Sequence, residues 1–483
     1  MTIKKFSDYK LSDELLKSID LLGFKCPTEV QAKVIPSILE HGDVLVKSQT
    51  GSGKTASYAI PICELVNWEE NKPQALILAP TRELAIQIKE DIFHIGRFKR
   101  IKVPVLYGRT TIAKQVKELK QKTHIVVGTP GRVMDHIIRG SLITDEIRYL
   151  VIDEADEMLN MGFLDEVEDI LDKLPENRIT MLFSATLPNW IASIAKTYMK
   201  DPIRIEFKEQ SVAAENIQQE LYFVEETDKL SLLKKVTMIE NPDTCLIFCN
   251  TQQKVEQIYR ELNKDHYPCN KIHGGMLQDD RTKVMADFKK GQFRYLVATD
   301  VAARGIDIDN ITIVINFDVP EGCEIYVHRI GRTGRQEKAG LAKTFITPRD
   351  SSFPDEISRF TGQELIRKSI PNDDEIIMAR RDFEEKLQKQ PKYKEDKGAK
   401  LNEEILRIHI NAGKKTKMRP VDIVGTLCSI EGVNAEDIGV ISVLDISTFV
   451  EILNNKGEMV LSKLQDRNIK GRPRKVSRAE PKQ

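Results

Sequence analysis

Short apolar runs recur along the chain, and each ends in polar residues. In the amino-terminal part they are "DVLVKS" (43–48), "QALILAP" (74–80), "THIVVGTP" (123–130), "YLVIDEAD" (149–156) and "TMLFSAT" (180–186). A second series begins near 220: "CLIFCN", "CNKIHGG", "YLVATD", "ITIVINFD" and "AKTFITP". Longer patterns of helical period separate them. Buried strands alternating with helices predict parallel α/β units, with sites at the carboxyl ends of the strands. "KEQSVAAEN" (208–216) interrupts the pattern and predicts a linker between two such domains.

After 371 the pattern changes. "PNDDEIIMARRDFEEKLQKQPKYKEDKGAK" is dense in charge and poor in strand formers, which fits a charged helix or an extended tether. From about 404 apolar runs return: "ILRIHIN", "PVDIVGTLCSI", "IGVISVLD", "TFVEIL", "GEMVLSKLQ" and "NIKGRPRKV". Their order, strand, helix, strand, strand, helix, strand, predicts a small α+β sandwich of split βαβ type. The expected division is 1–208 and 209–370 as α/β domains, 371–403 as a charged tether and 404–483 as the small domain.

Composition adds little for the whole chain and more for its parts. The 483 residues carry no formal net charge, so the molecule is not a uniformly basic nucleic-acid binder. Residues 405–483, however, hold 14 Lys+Arg against 9 Asp+Glu. The seven cysteines are odd in number and include no Cys-x-x-Cys pair, which points to reduced thiols with no disulfide partner and no zinc site. The start "MTIKKFSDYK" has no apolar signal core, and no apolar run approaches the roughly 18 residues of a membrane span. A cytoplasmic protein without membrane association is expected.

Three stretches carry chemistry. In "SQTGSGKT" (48–55), Gly53, Lys54 and Thr55 match the end of the phosphate-binding template G-x-x-x-x-G-K-[ST], while Ser48 replaces its first glycine. Backbone amides of Ser52, Gly53 and Lys54 at a helix start suit phosphate, Lys54 suits the β- and γ-phosphates, and Thr55 suits Mg²⁺. A glycine-rich turn is the plain alternative. "YLVIDEAD" puts Asp153 at a strand end, where an aspartate can hold Mg²⁺ through water, with Glu154 beside it to orient or deprotonate water. A solvated acidic turn is the alternative there. "HRIGRTGR" supplies His328, Arg329, Arg332 and Arg335 in the second domain, with arginines three apart as on one helix face. Such arginines can meet a nucleotide on the first domain only when the domains close; a basic solvated face is the alternative.

Together these stretches resemble the DEAD-box RNA helicases over nearly all of residues 6–370, and "DEAD" itself stands at 153–156. "GFKCPTEVQ" (23–31), "PTRELA" (80–85), "TPGR" (129–132), "SAT" (184–186), "LIFCN" (246–250), "QDDR" (278–281) and "VATDVAARGID" (297–307) follow in family order. The resemblance implies two tandem RecA-like parallel-sheet domains and RNA-dependent ATP hydrolysis. It implies catalysis by Lys54, Asp153, Glu154, Arg332 and Arg335. Phe24, Gln31, Ser52, Gly53, Thr55, Gly305 and Asp307 would join them at ATP, with Mg²⁺ at Thr55 and Asp153. A side-chain amide such as Gln31 can read adenine by donating and accepting at once. Asp156, Ser184, Thr186 and His328 would couple the nucleotide site to the cleft, with Ser184 and Thr186 bonding Asp156 and His328. Thr81, Arg82, Thr129, Gly131 and Arg132, with Asn250, Gly274, Arg281 and Thr299, would follow an RNA backbone without reading bases. One departure is "LYGRT" (106–110), where Arg109 follows Gly108 in place of the family's second glycine.

The tail resembles that of the DbpA-type helicases, which an RRM-like domain directs to 23S ribosomal RNA. The resemblance implies a monomer acting on 23S rRNA or a large-subunit precursor. Typical RRM stacking residues are thin: Ser447 replaces an aromatic in "DISTFVEI", and His409 stands where Tyr or Phe is usual. The basic loop with Lys414, Lys415, Lys417 and Arg419 is therefore the expected RNA surface, and ordinary solubilising charge is its alternative. An ATP-gated RNA clamp with little turnover shares every motif. A DNA translocase is disfavoured by the DEAD tetrad, TPGR and the RRM-like tail.

Overall fold

A computed structural model describes residues 5–48, 52–207, 216–300, 311–334, 339–389 and 399–479. The expected linker at 208–216 lies outside these residues except for Asn216. The chain divides into two units, Met1–Glu206 with Asp396–Gln483, and Phe207–Glu395.

The first unit contains a seven-stranded sheet ordered β3-β4-β2-β5-β6-β1-β7. Its strands are β1 Val44–Lys47, β2 Ala75–Leu78, β3 Val105–Leu106, β4 Ile125–Gly128, β5 Tyr149–Ile152, β6 Ile179–Ser184 and β7 Ile203–Glu206. Every pairing is parallel. The helices are α1 Asp13–Leu21, α2 Glu29–Leu39, α3 Lys54–Leu65, α4 Arg82–Ile95, α5 Ile112–Leu119, α6 Pro130–Ile138, α7 Ala155–Asn160, α8 Leu164–Asp172 and α9 Asn189–Tyr198. The residues of β2, β4, β5 and β6 are buried throughout, as strands covered on both faces must be. β3 and β7 are edge strands; β3 has two residues and β7 is mostly exposed, so neither carries a recognisable apolar run.

The second unit repeats the plan in the order β10-β11-β9-β12-β13-β8-β14. These strands are β8 Ile217–Phe223, β9 Cys245–Phe248, β10 Cys269–Ile272, β11 Tyr295–Ala298, β12 Ile313–Asn316, β13 Gly340–Ile346 and β14 Ile366–Lys368. The five runs expected there form β9 to β13. Of the two readings of the charged segment, a helix or an extended tether, the first holds at its start: Asp373–Gln388 is a helix whose Phe383 is 2% exposed and enters the core beside Leu232, Val236 and Tyr267. A second short helix, Ala399–Glu403, precedes the small domain.

The small domain has the sheet β16-β17-β15-β20, all antiparallel. Its strands are β15 Leu406–Ile410, β16 Ile438–Val443, β17 Thr448–Ile452 and β20 Val476–Arg478, with helices Pro420–Cys428 and Gly457–Gln465 covering one face. This is the expected split βαβ arrangement. The last expected strand is in fact a hairpin, β18 Asn468–Ile469 with β19 Arg472–Pro473, followed by β20.

Within the first unit this domain packs on the α/β domain. Phe98, Leu401 and Leu453 form a buried cluster with Leu21, Leu22 and Ile405 against it. Arg97 Nε meets Glu451 Oε2 at 3.0 Å, and each side chain is 8% exposed. Arg100 Nη2 donates to the Ala435 carbonyl at 2.6 Å and Lys102 Nζ to that of Ile441 at 2.5 Å. Lys17 pairs with Glu404 at 2.8 Å. Breaking one side of a buried, hydrogen-bonded pair such as Arg97–Glu451 costs about 3–5 kcal/mol.

Candidate functional site

The phosphate-type loop follows β1. Gln49, Thr50 and Gly51 lie outside the described residues. Gly53 is the residue before α3 and takes a left-handed backbone, φ +87°. A Cβ there would also come within 2.6 Å of Gln31 Nε2 and 3.2 Å of Thr28 Oγ1, so only glycine fits. Gln31 is buried and tied down: its Oε1 accepts from Thr28 N at 2.9 Å and its Nε2 donates to the Gly53 carbonyl at 3.3 Å. Thr28 Oγ1 donates to the Ser52 carbonyl at 3.0 Å. The expected adenine reader thus also clasps the loop. Phe24 is 36% exposed and its ring lies 6.4 Å from that of Phe6.

Lys54 is buried, and its Nζ donates to the Ser48 carbonyl at 3.1 Å. No side chain caps α3. Its first-turn amides and the Lys54 ammonium form a donor set suited to phosphate. Asp153, 3% exposed, stands at the end of β5. Its Oδ2 accepts from the Tyr58 hydroxyl at 2.8 Å and its Oδ1 from Glu154 N at 3.0 Å. Burial raises the Asp153 carboxyl pKa, against the opposing pull of Lys54, Tyr58 and the Glu154 amide. Burial and then Asp153 hold the Tyr58 phenol far above its usual range, so it remains a donor. Tyr58 carries no family label; its only sequence signal is its place one turn beyond Thr55. Glu154 adopts φ 52°, ψ 54°. A left-handed non-glycine costs about 1–2 kcal/mol, and such strain clusters at functional sites.

Among the described residues no three His, Cys, Asp or Glu side chains gather as a metal cage. One buried carboxylate beside a phosphate-type loop suits Mg²⁺, which is bound through one or two carboxylates plus substrate phosphates.

Asp156 Oδ2 accepts from the Ala185 and Thr186 amides at 3.1 and 2.9 Å and from Thr186 Oγ1 at 3.2 Å. Ser184 differs from expectation: its hydroxyl, buried at the end of β6, has no hydrogen-bond partner among the described residues. Its carbonyl instead accepts from Ser48 N at 2.9 Å. The loop and the Asp156 cluster are joined through the Ser184 backbone.

The residues expected to face RNA in the first unit lie at the carboxyl ends of β2, β3 and β4. Thr81 caps α4 through Oγ1 to Leu84 N at 3.2 Å. Arg82 lies under Gly108, where a Cβ would meet its Nη2 at 3.2 Å. Thr129 precedes α6, and Gly131 has open space where a Cβ would be. Arg132 Nη1 donates to Gln115 Oε1 at 2.9 Å and to the Thr110 carbonyl at 3.2 Å. Arg109 is exposed with φ 60°, which explains why glycine is usual there: the arginine occupies a glycine conformation.

In the second unit the helix Cys323–Ile330 ends before Arg332, so the arginines do not share one helix face. Arg332 is 7% exposed in the turn beyond, and His328 is half-buried. Arg329 is an internal anchor: it forks onto Asp300 with two contacts of 2.6 Å and donates to Asn250 Oδ1 at 2.8 Å and the Asp318 carbonyl at 2.6 Å. Asn250 is exposed while its amide is held by Arg329 and by Val319 at 2.8 Å. Arg281 and Thr299 are buried, and a Cβ at Gly274 would come no nearer than 3.6 Å to Gln252. Gly305, Asp307 and Arg335 lie outside the described residues.

In the small domain Lys414, Lys415, Lys417 and Arg419 are all exposed, with Arg419 paired to Asp422 at 3.3 Å. The open sheet face bears a groove of about 490 Å³. His409 and Phe449 meet there with ring centroids 5.1 Å apart and planes tilted by 38°, and Arg407 lies 4.5 Å from the Phe449 centroid. Phe449 is therefore a surface residue of the sheet, and not part of the core.

The phosphate-type loop, the Asp153–Glu154 strand end and the two RecA-like sheets define a DEAD-box helicase core. Family models agree: DEAD/DEAH box helicase over residues 28–194 and helicase conserved C-terminal domain over 228–337. A third, the DbpA RNA binding domain, matches 407–478. The chain belongs to the DEAD-box family of ATP-dependent RNA helicases, in its DbpA branch. It is 53% identical to the ATP-dependent RNA helicase DbpA of Bacillus subtilis over 98% of this chain and 99% of that protein. It is 45% identical to the DEAD-box helicase CshA of Geobacillus kaustophilus over 77% of this chain and 80% of that protein. Among solved structures it is similar to S. cerevisiae Dbp5 bound to RNA and ADP BeF3, with TM-score 0.71, 30% identity, and coverage of 80% of this chain and all of that one. Among the described residues no helix is long and apolar enough to cross a membrane.

Proposed function

We propose that this helicase remodels 23S ribosomal RNA or its precursor during assembly of the large subunit, as a cytoplasmic monomer. The carrying observation is the small domain, which matches the DbpA RNA binding model and exposes Lys414, Lys415 and Lys417 on one turn. The core's named contacts face a backbone and supply no address. Neutralising the three lysines in the full chain tests this. ATP hydrolysis should keep its response to excess generic RNA and lose its response to low concentrations of 23S fragments. An unaltered response to the fragments removes the address from the loop.

In this reading the α3 amides and Lys54 bind the triphosphate, and Gln31 both reads adenine and holds the loop. Thr55 and, through water, Asp153 would hold Mg²⁺, which supplies positive charge against the β- and γ-phosphates. Tyr58 keeps Asp153 ionised by donating to it. Glu154 takes a proton from the attacking water. Arg332 and Arg335 stabilise charge on the transferring phosphoryl group when the units close, a contribution of about 10³–10⁵ in rate. Closure bends one RNA strand, which then no longer fits an A-form duplex. Phosphate release reopens the core.

A further inference from the structure

Within the first unit the small domain packs on the α/β domain next to helix α5, which adjoins residues expected to face RNA. Helix α5 is the crossover between β3 and β4, so it runs from the carboxyl end of the sheet back to the amino end. At its start it belongs to the RNA-facing cluster: Gln115 donates to the Tyr107 carbonyl at 3.1 Å and accepts from Arg132. Near its end Lys117 meets Asp445 of the small domain at 3.2 Å. The Leu444 and Asp445 carbonyls in turn accept from the amides of Lys414 and Lys415, each at 2.8 Å. One helix of eight residues, about 12 Å long, thus connects Arg132 to the basic loop. Gln115 faces inward, whereas Lys114 and Lys117 are exposed and one turn apart.

Two further features agree. Arg109 holds its exposed guanidinium at the head of this strip on a strained backbone that glycine would relax. The docking that aligns the strip does not rest on exposed charge: it uses the buried Arg97–Glu451 pair and the Phe98, Leu401, Leu453 cluster. Asp445 is the acid that interrupts the strip, and Lys117 already engages it.

We propose that docking makes one continuous RNA track, along which a strand leaving the first domain passes Arg109 and Lys114 and reaches Lys414 and Lys415. The ligand is the sugar–phosphate backbone of the same RNA strand that occupies the core. The track rests on the RNA-facing assignment of the core but not on the identity of the RNA. It makes the small domain an extension of the core's RNA surface and not a tethered address alone.

The test uses the full chain with unstructured single strands of about 10 and about 20 nucleotides, and measures affinity against salt. Each phosphate contact adds about 0.7 to the log–log slope for a single strand. For the four named cations the longer strand is expected to give a slope steeper by about three. Lys114→Ala with Lys415→Ala should remove about half of that difference. Arg97→Glu, which undocks the domain, should do the same, and Arg97→Glu with Glu451→Arg should restore it, which separates undocking from misfolding. Equal slopes for both strands in the unaltered protein overturn the proposal, as does a difference that survives both sets of substitutions. If the short strand stimulates ATP hydrolysis in that case, the core reading stands and only the track falls. If neither strand stimulates hydrolysis, the core reading itself falls.

Discussion

Tyr58→Phe removes one hydroxyl from the most buried acid of the nucleotide site. The ring keeps its place against Phe183, 5.2 Å away, so the packing is retained. What is lost is a 2.8 Å hydrogen bond to Asp153, worth about 1.5–3 kcal/mol for a charged acceptor. Asp153 already has its pKa raised by burial, and the Tyr58 donor is one of the influences holding it down. Removing that donor favours the protonated carboxyl, so a proton competes with Mg²⁺ at higher pH. Tenfold per 1.4 kcal/mol then gives a rise of about ten- to hundredfold in the Mg²⁺ concentration for half-maximal ATP hydrolysis. The acid limb of the pH–rate profile should move upward in pH. The assay is RNA-stimulated ATP hydrolysis over a Mg²⁺ series at several pH values. An unchanged Mg²⁺ requirement together with an unchanged acid limb would refute the role given to Tyr58 and weaken that of Asp153.

Other consequences are equally specific. His124 is fully buried; its Nε2–H donates to the Trp68 carbonyl at 3.1 Å and its Nδ1 accepts from Lys102 N at 2.9 Å. Burial lowers its pKa from 6.5 to about 4. The folded protein therefore binds this proton later than the unfolded chain, and stability should fall between pH 6.5 and 4, by roughly 3 kcal/mol at most. Denaturant titration of the protein and of His124→Gln over that range should show the difference. Glu154→Gln should keep ATP and RNA binding while lowering kcat by about 10²–10⁴, and full RNA-stimulated turnover would remove Glu154 as the base. Gln31→Ala should reduce the preference for ATP over GTP by about tenfold, read from the ratio of kcat/KM values; an unaltered ratio leaves Gln31 only its hold on Gly53.

Most of the architecture was legible because parallel strands buried on both faces are unbroken apolar runs. β8 was not. Its Gln219 and Glu220 are buried, and they read as polar until Tyr326, Gln363 and Lys343 are seen to satisfy them. The helix Asp373–Gln388 could not be told from a tether in the sequence because only Ile376 and Phe383 among its sixteen residues are buried. Within each unit the described motif residues lie at or just beyond element ends, but their partners did not follow from spacing. Arg329 lies within the arginine motif and is an internal anchor, while Tyr58 lies outside every motif and touches Asp153. The docking of the small domain had no local signal, since Arg97 and Glu451 are 354 residues apart.

The central claim is that the small domain delivers an ATP-driven core to 23S rRNA. Crosslinking the protein in cells to total RNA, with the RNA sites and protein peptides mapped together, tests it most directly. The expected result is a few concentrated sites in 23S rRNA, with the bases at those sites joined to peptides from 404–479 and neighbouring nucleotides joined to the core. Crosslinks spread across messenger, transfer and 16S ribosomal RNA, with none enriched on the small domain, would contradict it.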